Sequence, residues 1–93
     1  MRFTVVWLHD ARDELTERWL ASTDRDAVTR AAHRIDQELS IDPMQRGTPL
    51  AEGLRKLDVP PLRVYFSVRD QDRIVEITNI AELRIDDGLN HNS

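Results

Sequence analysis

Cysteine is absent from the 93 residues, which excludes disulfides and thiolate zinc sites. Histidine is scarce: His9, His33 and His91 stand far apart and form no metal-ligand motif. No apolar run approaches the ~18 residues that a membrane-spanning helix needs. The longest near the start, Phe3 to Leu8, is too short for the core of a signal peptide. We therefore expect a cytoplasmic protein with no membrane partner, no metal and no cofactor. Internal repeats and low-complexity segments are also missing. Positive charge is in the minority, with 13 Lys and Arg against 17 Asp and Glu and a net charge of -4. That balance disfavours non-specific nucleic-acid binding, which rests on a basic footprint.

What is present suits one soluble core, with 40% hydrophobic and 32% charged residues in a chain of one-domain length. The positive charge is unevenly placed. Between Leu54 and Arg69 stand Arg55, Lys56, Arg63 and Arg69, against Asp58 alone. A field acts within about a Debye length, roughly 8–10 Å in physiological salt. A basic strip can therefore work inside an acidic protein.

The β-branched and aromatic run Arg2 to Trp7 predicts a strand, with Phe3, Val5 and Trp7 on one face. Leu8, Ala11, Leu15 and Trp19 then recur at helical spacing, with Asp10 as the expected N-cap. After a break, Thr23 is expected to cap a second helix whose buried stripe is Val28, Ala31, Ile35 and Leu39. Asp26–Arg30 and Arg34–Glu38 are spaced for i,i+4 pairs on its wet face. Residues 42–53 hold two prolines and two glycines and predict a loop. Three strands follow, in the runs 54–57, 62–68 and 73–80. The middle one alternates, with Leu62, Val64, Phe66 and Val68 on one face and Arg63, Tyr65, Ser67 and Arg69 on the other.

The order β-α-α-β-β-β with short final links predicts a two-layer α+β fold, a helical hairpin packed on one face of an antiparallel-rich sheet. About four strands are expected. The expected core includes Phe3 or Val5, Trp7, Leu15, Trp19, Val28, Ile35, Val64 and Phe66. The open sheet face then carries Arg63, Tyr65 and Arg69, with Glu76 on the next strand as the expected carboxylate for Arg63. His9 and His33 are read as surface helix residues.

In this arrangement the chain resembles the RelE/ParE superfamily, the plasmid-stabilisation-like toxins of type II toxin–antitoxin pairs. The resemblance runs from Phe3 to about Leu83. It is carried by the opening strand into "WLHDARDEL", the helix pair, the Pro/Gly loop, and "LRKL" followed by "PLRVYFSV" and "IVEI". It implies a single domain over 1–83, a polar C-terminal tail over 84–93, and a cognate antitoxin as partner. It also implies one of two activities, ribosome-dependent mRNA cleavage or inhibition of DNA gyrase. A catalytically inert protein-binding module on the same fold is the alternative.

For an mRNA interferase, an endoribonuclease, the resemblance places Arg63 and Lys56 at catalytic, phosphate-holding positions and implies RNA contacts for Arg55, Arg69 and Arg84. Such chemistry must align the 2′-OH with the phosphate, neutralise the charge growing on the phosphoryl oxygens and protonate the leaving group. The RelE pattern is incomplete here. Leu54 and Leu83 stand where it has basic residues, and Leu89 stands near its tyrosine. Tyr65 and His91 are the remaining candidates for an acid or base.

Overall fold

A computed structural model describes residues 2–83. The elements run β1 (Thr4–Trp7), α1 (His9–Ala21), α2 (Arg25–Ile41), a 3-10 turn (Pro43–Gln45), β2 (Thr48–Ala51), β3 (Leu54–Val59), β4 (Leu62–Arg69) and β5 (Ile74–Glu82). The sheet order is β1-β5-β4-β3-β2. β2 through β5 pair antiparallel, and β1 lies parallel to β5. Both helices cover one face, so the expected α+β sandwich with an antiparallel run of final strands is the observed architecture.

The sheet has five strands rather than four. β2 falls inside the segment read as a loop, because its sequence is Thr48-Pro49-Leu50-Ala51 and every residue is exposed. A proline is tolerated there because β2 is an edge strand, where a missing N–H need not break a ladder.

The helix starts also differ from expectation. α1 begins at His9 with Leu8 at the N-cap and no side-chain cap, which leaves Asp10 in the first turn. α2 is capped by Asp24, not Thr23: its Oδ1 accepts from the Ala27 N–H at 3.1 Å. Asp outcompetes Thr here because its carboxylate also meets the positive end of the helix. On the wet face Arg34 reaches Glu38 at 2.8 Å, but Asp26 and Arg30 do not pair.

Val28, Ala31, Ile35 and Leu39 of α2 pack on Leu62, Val64, Phe66, Val75, Ile77 and Ile80, with Ala11 from α1. Phe3, Val5, Trp7 and Leu15 are only half-buried around this core. Trp19 is 37% exposed, against expectation. It sits at the elbow between the helices, where its indole N–H donates to Thr29 Oγ1 at 3.2 Å. Arg25 stacks on the ring at 4.6 Å and donates to the carbonyls of Trp19 and Leu20, each at 3.1 Å. The tryptophan thus holds the turn together from its flank, and Arg25 satisfies carbonyls that the helix end would otherwise leave open.

A bulge in β5 decides which side chains enter the core. Tyr65 pairs with Asn79 while Phe66 pairs with Ile77, so Thr78 is an extra residue. Strict alternation from Val75 and Ile77 would turn Asn79 inward and Ile80 outward; the bulge reverses both. Glu14 of α1 secures it, accepting from the Ile80 N–H at 2.8 Å.

Candidate functional site

The face of the sheet turned away from the helices carries most of the candidate residues. The register sets Lys56 of β3 opposite Tyr65 of β4, and Tyr65 opposite Asn79 of β5. One row along, Asp58 stands opposite Arg63, and Arg63 opposite Ala81. Alternation along β4 causes this: Leu62, Val64 and Phe66 are buried, so Arg63, Tyr65 and Ser67 face outward.

Arg63 is not a free cation. Its Nε donates to Asp58 Oδ1 at 2.6 Å and its Nη2 to Asp58 Oδ2 at 3.0 Å, a two-pronged ion pair. The hydrogen bond from Arg63 holds the Asp58 carboxyl below its ordinary pKa, with the nearby charges of Arg63 and Lys56 adding to the effect against some desolvation. Arg63 is in turn pushed further up, first by Asp58 and then by the Tyr65 oxygen. Glu76, the carboxylate expected to meet Arg63, pairs with Arg69 at 3.5 Å. The reason lies in the turn. Pro60 and Pro61 are the two linking residues of a hairpin that pairs Val59 with Leu62, so Asp58 and Arg63 fall directly opposite each other. Their spacing about "VPPL" was the sequence signal for this pair.

Lys56, Arg63, Tyr65 and Arg69 therefore share one face. Lys56 has no ion pair among the described residues. Arg55 lies on the other face, opposite Phe66, and donates to the backbone carbonyls of Arg46 at 3.1 and 2.9 Å and of Gly47 at 3.4 Å. Leu54 is half-buried at the start of β3. The N–H of Leu83 donates to the Pro61 carbonyl at 2.8 Å, which ties the end of β5 to the proline turn. Arg84, Leu89, His91 and the rest of the 84–93 tail lie outside the described residues.

The Asp58–Arg63 pair gives a pH expectation. A depressed folded-state pKa means that the pair's contribution is present above about pH 4, the ordinary Asp range, and lost as pH falls through the lower folded value. The pair is partly exposed, with side-chain exposures of 29% for Arg63 and 41% for Asp58, so the contribution is small and salt-sensitive. Thermal melts of the wild type and Asp58→Asn should differ by a few degrees at most near neutral pH, and the gap should close in acid. A gap that widens in acid would contradict the assignment.

No family model matches the chain, and a search of curated proteins finds no match. Solved structures do match. A chain of the RelBE2 toxin–antitoxin complex from Mycobacterium tuberculosis aligns with a TM-score of 0.73 at 20% identity, over 88% of this chain and 92% of that one. One from the chromosomal ParDE system of P. aeruginosa aligns at 0.64 and 16% identity, over 89% and 98%. The isolated E. coli RelE toxin aligns at 0.60 and 14% identity, over 99% and 95%. This chain has the RelE/ParE toxin fold. The match to isolated RelE identifies the toxin half as the one with this architecture. At these identities the RelE/ParE likeness is one of backbone, and the side chains on the open face carry their own argument.

Proposed function

We propose that this chain is the toxin component of a type II toxin–antitoxin pair, restrained by a cognate antitoxin, and that it acts by gripping a protein such as DNA gyrase rather than by cutting RNA. The RelE/ParE fold supports the first half. The observation that carries the second is the Asp58–Arg63 pair. A phosphate-holding arginine must present its N–H fork to the phosphoryl oxygens, and a preorganised donor there contributes about 10²–10³ in rate. Here the Nε–Nη2 edge of the fork is already engaged by a carboxylate, which would also repel an approaching phosphate. Leu54 and Leu83 supply no charge, and Lys56 alone remains as an unengaged cation among the described residues of this face. A net charge of -4 works in the same direction.

Induced expression, alone and with the product of the adjacent gene, tests this reading. Growth should arrest in the first case and recover in the second. Arrest should persist in Arg63→Ala and Lys56→Ala with cellular mRNA intact, while plasmid supercoiling changes. Cleaved mRNA that becomes intact in Arg63→Ala would establish the RNA-cutting activity instead. Unimpeded growth of the folded wild type would establish an inert module.

A further inference from the structure

The outer side of α2 carries a second concentration of positive charge. Arg2 from the chain start, Arg30 from α2 and Arg46 from the loop after it line an open concavity of about 750 Å³ together with His33, Arg34 and Ile41. Its carboxylate, Glu38, is engaged by Arg34 at 2.8 Å. Arg2, Arg30 and Arg46 have no ion pair among the described residues. Arg2 reaches only the Ser40 hydroxyl, at 3.4 Å. The Nε of Arg46 is enclosed and has no acceptor among the described residues, which leaves its terminal nitrogens as the part of this guanidinium that a partner can meet.

We propose that this groove docks an acidic, amphipathic segment of a partner protein, whose carboxylates meet Arg2, Arg30 and Arg46. Three observations select that occupant. The groove is positive on a chain of net charge -4, so its attraction is local and suits a short anionic segment better than a long polyanion. Ile41, 54% exposed, offers an apolar contact within the arginines. Thr29 borders both this groove and an apolar cleft of about 260 Å³, lined also by Leu15, Trp19, Val28 and Ala32 from the two helices. A helix with carboxylates on one side and aliphatic side chains on the other fills both, and a nucleic-acid backbone does not fill the second. Identifying that partner as the antitoxin rests on the toxin reading; the capacity for an acidic amphipathic segment does not.

The direct test uses a fluorescein-labelled peptide of about 18 residues, roughly five helical turns, with glutamates on one face and leucines on the other. Anisotropy should report binding to the wild type that weakens as salt rises from about 50 to about 500 mM. Arg2→Glu/Arg30→Glu should weaken it at least about tenfold. Both residues are exposed, so the double variant should fold, which circular dichroism checks. Absence of binding, equal binding by the folded double variant, or tighter binding of a single-stranded RNA of similar length would overturn the proposal. A second arm purifies the wild type and the double variant with the adjacent gene product. A complex lost in the double variant supports the groove as the antitoxin site. A complex that both proteins form equally removes the groove from antitoxin binding and leaves the toxin reading intact. Peptide binding by a wild type that forms no complex supports the groove and removes the toxin–antitoxin reading.

Discussion

Phe66→Ala should lower the free energy of unfolding by about 3–5 kcal/mol, the range for emptying a buried aromatic site. Phe66 is fully buried at the centre of β4, level with Ile77 and adjacent to the β5 bulge. Few atoms can move in, because its neighbours are held by ladders on both sides. Small domains have only about 5–15 kcal/mol in total, so the variant should stand near the edge of unfolding at body temperature. Each kcal/mol shifts the melting point by about 4–8 °C in a chain of this size. Tyr65→Ala is the matched control. Its side chain lies one residue away on the open face, and its loss should cost about 1 kcal/mol or less. Urea titrations of both variants measure the difference. A larger loss at Tyr65 than at Phe66 would mean that the two faces of β4 have been exchanged.

Gly47→Ala should cost about 3 kcal/mol, from two causes that add. Gly47 has φ +69, where a residue with a Cβ is strained by about 1 kcal/mol. An added Cβ would also collide with the backbone carbonyl of Lys56. That carbonyl cannot retreat freely, since Lys56 is locked opposite Thr48 on one side and Tyr65 on the other. Overpacking of this kind costs about 1–3 kcal/mol. Gly53 separates the causes. It has φ +77 with open space around its missing Cβ, so Gly53→Ala should lose only about 1 kcal/mol. Chemical denaturation of the pair checks this, and equal losses would remove the collision from the account. The Gly47 variant should also disturb Lys56, and with it the charge on the open face.

Periodicity made the two layers legible. The stripe Val28, Ala31, Ile35 and Leu39 is buried as its spacing predicts, and so are Leu62, Val64 and Phe66. A one-residue error in β4 would have turned Arg63 under the helices, into the apolar core. The short edge strand β2 was not legible. Thr48–Ala51 buries nothing, so its pairing comes from the neighbouring β3 backbone and leaves no mark on residue type. Trp19 misled for the opposite reason. It keeps helical phase with Ala11 and Leu15, but the stripe runs past the end of the core and meets Thr29 and Arg25 instead of the sheet.

The candidate site divides in the same way. Local order along the chain determined which side chains share the open face, because alternation and helical phase are short-range rules that a few neighbours enforce. It also determined that the face would be locally basic within an acidic protein. Only the tertiary structure decided how that charge is used. Residue type left Asp58 and Glu76 both open to Arg63; the two-residue Pro60–Pro61 turn, once formed, sets the register that puts Asp58 opposite Arg63 and leaves Glu76 to Arg69. Arg55, on the opposite face, met the carbonyls of Arg46 and Gly47, and Arg2, Arg30 and Arg46 came together from three segments. The grouping of Arg2, Arg30 and Arg46 joins segments far apart in the chain. Their geometry exists only once the sheet order places β1 beside β5 and lays α2 across the strands between.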